Sequence, residues 1–440
     1  MLLLAAPLVL AELGWMGMGV IDTMMVGRVS AEAIGAVSLG SVLFYAVAVF
    51  GSGLMLGLDT LVSQSFGARR TMDCHHSLIN AVYFCLPLAP ALMLLVWCWA
   101  PLLDRFGINP SVLRQTVPYL MAIMWSTFPL LLYFALRRYL QAMNRVAPIM
   151  FALISANAIN VAGNWILVYG HFGFRPMGAE GSGWATCVSR VYMVLVLGVY
   201  LLYDAAARRT GLFNAPLAPD FRRIRDLARL GLPAATQLSL EVGVFAAATA
   251  LIGTLNPLSL AAHQIAMNVA TFTYMVPLGI SSAAAVRVGQ ALGRGDQHAA
   301  GRAGWVAMAL GATFMAGAGV VLLTVPAYVA RVFTTDRAVI RTAISLLAVA
   351  AAFQLFDGLQ TVATGALRGA GDTRTPMICH LLLYWLVGLP LGYVLCFEMG
   401  WGAIGLWAGL CVALILIGSV LLAVWTRKVR AMSASCVAAG

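Results

Sequence analysis

Charge is scarce in this chain. Of 440 residues only 10% are Asp, Glu, Lys or Arg, and just 16 are acidic, while 62% are hydrophobic. A soluble domain carries about 25% charged and about 45–50% apolar residues. A chain this long with so few polar side chains cannot cover a water-facing surface, which excludes a soluble globule. Short alternating segments are missing too; the apolar runs are long and continuous, which excludes a transmembrane barrel. No basic stretch and small-residue cleavage site frame the first apolar run, so no cleaved leader is expected. There is no HExxH, no GxSxG and no paired acid-rich prenyl-diphosphate motif, which makes a membrane-embedded enzyme the weakest functional reading. The eight cysteines (Cys74, Cys85, Cys98, Cys187, Cys379, Cys396, Cys411 and Cys436) show no CxxC spacing and fall mostly inside apolar runs. There a cysteine is a small packing residue, and neither a disulfide framework nor a metal cluster is expected.

What remains is a polytopic α-helical membrane protein. A span needs about 20 mostly apolar residues, and twelve such runs are present: 5–27, 34–64, 77–102, 116–138, 148–169, 182–203, 231–254, 259–285, 303–330, 342–366, 377–397 and 403–426. The second run holds Gly51, Gly53 and Gly57 and is expected to bend. Pro87, Pro90, Pro129, Pro277 and Pro390 mark expected kinks, tolerated where neighbouring helices re-satisfy the backbone. Of the 27 Lys and Arg, 19 fall in one set of alternate loops, among them Arg69, Arg70, Arg137, Arg138, Arg208, Arg209 and Arg368. Seven, including Arg105, fall in the other set, and Arg190 lies inside a run. The richer set belongs in the cytoplasm, which places both termini there. The net charge of +11 is thus accounted for by topology and by contact with anionic lipid, not by nucleic acid.

The chain repeats itself. Pro7, Gly27, Ala36, Gly53, Gln64 and Gly67 recur as Pro233, Gly253, Ala262, Gly279, Gln290 and Gly293, always 226 positions later. Gly178-Ala179-Glu180-Gly181 recurs near Gly402, and Ala135-Leu136-Arg137 resembles Ala366-Leu367-Arg368. Six spans per repeat give both halves the same orientation in the membrane. The expected organisation is an N-terminal lobe (1–203), a basic linker (204–230), a C-terminal lobe (231–426) and a tail (427–440). Transporters commonly place their substrate path at such a repeat interface.

A charged side chain at the centre of a membrane helix costs about 2.5–3.5 kcal/mol on insertion scales, so such residues are functional candidates by default. Asp22 is one, with Trp15, Met18 and Met25 on the same helical face. Asn157, Asn160 and Asn164 share a face of the fifth run; their amides offer oxygens to a hard cation and donors to a carboxylate. Interhelical hydrogen bonding alone would also explain them. In the second half Gln237 and Glu241 stand one turn apart, Gln264, Asn268 and Thr271 line another helix, and Phe353, Asp357, Gln360 and Thr361 a third. Glu241 and Asp357 could share one proton or cation, since like charges raise one another's pKa. Methionines and aromatics, among them Met24, Met124, Met267, Trp125, Phe272 and Tyr274, suit an adaptable apolar cavity. Weaker candidates are Asp59, expected near Arg69 or Arg70, and Glu12, expected at the interface. Arg190 is expected to pair with an acid or snorkel, and His263 is a possible proton carrier. His75, His76 and His298 are expected in solvated loops.

The ordered set of stretches resembles the multidrug and toxic compound extrusion (MATE) family, in its NorM-like bacterial branch. It is carried by Gly17–Gly27, Asn164–Gly170, Leu240-Glu241-Val242, Ala261–Ala266, Val276–Ile280, Val286–Gln290 and Gly365–Gly369, over about 7 to 427. The resemblance implies two six-helix lobes forming a V around a central cavity. It implies exchange of organic, often cationic drugs for Na⁺ or H⁺ across the bacterial inner membrane, by a chain working as a monomer without a bound cofactor. It assigns Asp22, with Asn160 and Asn164, to a first-lobe cation site and Glu241 with Asp357 to a second-lobe site. Trp15, Met18, Gln264, Asn268, Phe353 and Gln360 are the candidates for the substrate cavity. Some members carry a tyrosine where Phe353 stands, so one hydroxyl oxygen for Na⁺ is missing here. A related flippase for lipid-linked precursors is the alternative; it would want a more basic cavity than Arg190 alone provides.

Overall fold

The computed structural model describes residues 1–101, 103, 110–208 and 210–438, without the side chains of 31, 208 and 435–438. Arg105 and Arg209 therefore lie outside the described residues, as do the side chains of Arg208 and Cys436. Among the described residues there is no strand. The first half contains α1 (Leu2–Val26), α2 (Ala31–Leu54), α3 (Gly57–Gly67), α4 (Thr71–Trp99), α5 (Pro110–Met124), α6 (Thr127–Ala142), α7 (Ala147–Leu167) and α8 (Gly178–Arg208). The second contains α9 (Phe221–Gly253), α10 (Pro257–Gly293), α11 (Gln297–Thr324), α12 (Pro326–Arg331), α13 (Arg337–Gly369), α14 (Arg374–His380), α15 (Leu389–Tyr393) and α16 (Ala403–Ala438). The segment from α14 through α15 to Glu398 is one span with π-helical turns at Leu381–Gly388 and Val394–Glu398, on either side of Pro390. Among the described residues eleven segments are long and apolar enough to cross a membrane, and the pair α5–α6 makes a twelfth if taken as one span.

Local chemistry sets the ends and the breaks. Ser30, Asn256, Asp296 and Asp336 cap α2, α10, α11 and α13 by accepting a backbone N–H of the first turn. The α5–α6 span bends by 46°. Pro129 was the expected kink, but the break falls at Trp125 and Ser126, with Pro129 in the first turn of α6. A proline ring clashes with the carbonyl four residues earlier, here that of Trp125, so the helix restarts just before it. The bend expected in the second run is the break between α2 and α3 at Met55 and Leu56. Several arginines expected in loops are helical instead: Arg137 and Arg138 on α6, Arg368 on α13, and Arg222, Arg223, Arg225 and Arg229 on α9. Arg137, Arg138 and Arg368 are buried, so they do not face anionic lipid.

The chain divides into two compact units, Leu10–Ala235 and Met1–Val9 with Thr236–Gly440. The division cuts α1 after Val9 and α9 after Ala235, again 226 residues apart. The repeat is therefore built into the backbone. The helix starts of α2 and α10, and of α4 and α11, keep the same offset, as do the ends of α3 and α10. Gly53 lies so close to α9 that a Cβ would meet Ala235 Cα at 2.5 Å; Gly279, its equivalent, lies against α1, where a Cβ would meet Val9 N at 2.7 Å. The two contacts are the same contact made once in each unit. By α5–α6 and α13 the register has slipped by one residue. Asn144 and Gly371 both take the left-handed backbone that ends those helices, and Arg145 N and Asp372 N close equivalent turns on Leu140 O and Leu367 O. That offset is 227, so the Ala135-Leu136-Arg137 match is one helical turn out of register; Ala- and Leu-rich helices look alike every turn.

Because overpacking a tight contact costs about 1–3 kcal/mol, Gly53→Val and Gly279→Val are each expected to lower the midpoint of thermal unfolding in detergent. Scanning fluorimetry of the purified protein checks this; a midpoint equal to that of the wild type would contradict the close approach.

Candidate functional site

Among the described residues each unit holds one buried carboxylate centre with no arginine at ion-pair distance. In Leu10–Ala235 the centre is Asp22 on α1, only 6% exposed. Asn164 on α7 donates to its Oδ1 at 2.7 Å, and Thr186 on α8 donates to its Oδ2 at 2.8 Å. Asn160, one turn before Asn164, stands behind them, with its Oδ1 3.1 Å from Asn164 Nδ2 and its Nδ2 3.5 Å from Thr186 Oγ1. The Asn164 amide is oriented unambiguously, because its Nδ2 faces only acceptors: Asp22 Oδ1, Asn160 Oδ1 and Asn160 O. Its Oδ1 is consequently sealed in the centre with no donor. Asn157 faces elsewhere and ties α7 to the Gly14 carbonyl of α1 at 3.2 Å.

In the other unit Glu241 on α9 and Asp357 on α13 are joined by one amide. Gln360 Nε2 donates to Glu241 Oε1 at 3.3 Å and to Asp357 Oδ1 at 3.2 Å. Tyr274 on α10 donates its hydroxyl to Glu241 Oε1 at 3.3 Å, and Gln237 donates to Oε2 at 3.1 Å. His380 on α14 completes the shell. Its Nδ1 donates to Pro376 O at 2.7 Å, so its Nε2 faces Gln237 Nε2 at 3.3 Å and Glu241 Oε2 at 3.6 Å. Gln360 Oε1, like Asn164 Oδ1, is buried without a donor. A carboxylate beside a buried, undonated amide oxygen is an oxygen donor set of the kind hard cations take.

The remaining candidates spread over several places. Trp15 stacks on Tyr133 with ring centroids 6.0 Å apart, Met18 is buried, and Phe353 is buried with its ring on Trp407 at 5.6 Å. Gln264 and Asn268 stay exposed on α10. His263 is fixed in one tautomer: Trp407 Nε1 donates to its Nδ1 at 2.9 Å, so its Nε2 carries the proton and donates to Thr249 at 2.8 Å. Both ring nitrogens are committed to structure. Thr186 and His380 were missed by sequence reasoning. His380 lies in a span, and the rule that singles out Asp22 as an ionisable residue at membrane depth would have found it. A threonine gives no such signal.

Residues 7–166 and 233–394 each match the family described as MatE. The starts of the two matches are 226 residues apart, the offset of the repeat. The chain is 36% identical over 436 residues to a probable multidrug resistance protein NorM of Mesorhizobium japonicum, covering 98% of this chain and 93% of the relative. It is 36% identical over 440 residues to one from Rhodopseudomonas palustris, covering 99% and 93%. The fold is that of the eukaryotic MATE transporter AtDTX14, with TM-score 0.88 at 23% identity over 98% of this chain and 97% of that one.

Other buried acids are answered by arginine instead. Glu12, expected at the interface, is buried and bound by Arg137 at 2.5 Å. Asp59 is fully buried and pairs with Arg138 at 3.5 Å, not with Arg69 or Arg70. His75, expected in solvent, is buried between Tyr139 OH at 2.6 Å and Thr210 O at 3.0 Å, while His298 is exposed. The α6 neighbours Arg137 and Arg138 thus clamp α1 and α3 to one helix. Breaking a buried pair from one side costs about 3–5 kcal/mol. Glu12→Gln is expected to lose folded protein, read as a smaller monodisperse peak on size-exclusion chromatography and a lower melting midpoint, whereas Asp22→Asn is expected to keep both.

Proposed function

This chain belongs to the MatE family of membrane transporters, and from that membership we propose that it is a multidrug exporter driven by Na⁺ or H⁺. It is a transporter and not an enzyme. The proposed cycle takes organic, often cationic drugs out across the bacterial cytoplasmic membrane by alternating access, with both termini of a monomer in the cytoplasm. The orientation rests on the distribution of Arg and Lys between alternate connections and the helix ends that flank them.

The observation that carries the coupling is that each centre has a carboxylate, no arginine partner at ion-pair distance among the described residues, and a buried amide oxygen without a donor. Such a centre gains a partner when a small cation enters. Entry from outside neutralises the acid, lowers the cost of burying it and shifts the population between the two access states. One charge moving down the membrane potential supplies about 2.3 kcal/mol per 100 mV. The shift requires the cation to bind one state more tightly than the other. The exposed amides Gln264 and Asn268 on α10 face the transported molecule or the water around it, since polar groups at membrane depth avoid lipid.

Counterflow of ethidium in proteoliposomes, under separately imposed Na⁺ and pH gradients, tests the proposal and identifies the ion. The wild type is expected to move ethidium only with a cation gradient. Asp22→Asn is expected to abolish that movement while remaining folded, and normal counterflow by that variant would remove Asp22 from the coupling.

A further inference from the structure

Arg190 on α8 is absorbed by neither centre. It lies one turn beyond Thr186 and is only 8% exposed. Among the described residues no carboxylate stands within the 4.0 Å of an ion pair; Asp22 acts on it only through space. Its Nη1 donates to Ser126 Oγ at the α5–α6 break. Its Nε is sealed without a partner. Its Nη2 makes no hydrogen bond and is not among the fully sealed atoms. The guanidinium lies over the rings of Phe44, at 4.9 Å, and Trp15, at 5.8 Å. A buried guanidinium with so few of its five donors used is costly.

Two further facts give the arrangement a direction. The aromatic faces that would attract a drug cation are already covered by the protein's own cation. The repeat sharpens this. Trp15 stands at the position that Glu241 occupies in the second half, 226 residues later. Tyr133, stacked on Trp15, stands where Gln360 binds Glu241, 227 residues later. Where the second repeat places an acid held by an amide, the first places an aromatic stack under a cation.

We propose that Arg190 is a docking point for an anionic group of the transported molecule, a carboxylate above all, so that the unit Leu10–Ala235 favours zwitterionic drugs over purely cationic ones. This rests on the exporter reading above and names a substrate class within it. A carboxylate is the planar acceptor that a guanidinium binds in preference to other groups. Arg190 is already oriented by its two rings and Ser126, so little order is lost when the carboxylate arrives.

A matched pair of fluorescent probes tests this. Rhodamine 110 carries a free carboxyl, and rhodamine 123 is its methyl ester. In proteoliposomes the wild type is expected to show a KM for rhodamine 110 about tenfold below that for rhodamine 123, the equivalent of one charge-assisted hydrogen-bonded contact. Arg190→Gln is expected to raise the KM for rhodamine 110 about tenfold and erase the preference; Arg190→Lys, which keeps the charge without the fork, restores part of it. A wild type that treats the two dyes alike, or prefers the ester, overturns the proposal even if no variant folds. So does an Arg190→Gln protein that still prefers the acid. If rhodamine 123 moves with the cation gradient but no acid preference is seen, only the docking role fails. If neither dye moves under any gradient, the exporter reading fails with it.

Discussion

The constraint on which this structure depends is that a charge inside an apolar helix bundle must be answered by a partner on a neighbouring helix. Glu12 and Asp59 are answered by the adjacent arginines of α6, which reach α1 and α3. Asp22 is answered by an amide and a hydroxyl from α7 and α8, and Glu241 by a tyrosine, two glutamines and a histidine from three other elements and its own helix. Because each of these acids takes a partner from another helix, the polar residues fix which helices are neighbours and at what height. Apolar packing alone, with lipid tails as apolar as leucine, does not specify that.

The repeat shows where this constraint acts. Backbone features survive duplication: helix starts, the left-handed turns at Asn144 and Gly371, and the close contacts at Gly53 and Gly279. Side-chain chemistry does not. Asp22 corresponds to buried Ala248, and Glu241 to Trp15. Each unit solves the burial of its own charges separately, at a different depth on a different pair of helices. A fold duplicated with unequal chemistry has two carboxylate centres that are not copies, and nothing requires them to take the same ion.

Much of this was legible in the sequence because membrane depth makes one residue informative. Asp22, Glu241 and Asp357 stood out in apolar runs, and the twelve spans followed from length and hydropathy. The amides Asn160 and Asn164 were visible through helical spacing. Partners were not legible, because the sequence says which face a residue is on but not which helix meets it. Asp59 was assigned to Arg69 or Arg70, near in sequence, but its partner Arg138 is near only in space. Arg137 and Arg138 read as loop charges because nothing in α6 announces that Glu12 and Asp59 wait on other helices. Thr186 was silent, since a hydroxyl in a helix is commonplace until a carboxylate is found beside it.

The type of partner separates the acids locked into the structure from those proposed to couple transport to a cation. An arginine beside a carboxylate neutralises it permanently; a second cation finds no net charge to bind, and removing either member leaves the other exposed to the full cost of burial. Amides and hydroxyls hold a carboxylate in place but leave its charge uncompensated. In the proposed cycle such an acid is destabilised until a cation arrives and again when it leaves, and a reversible step needs that alternation. Asn164 and Gln360 also each bury an amide oxygen that receives no donor. In the proposed cycle they position the acid when the centre is empty and offer a further oxygen to an entering cation. Arg137 in the place of Asn164 would have made Asp22 as inert as Glu12.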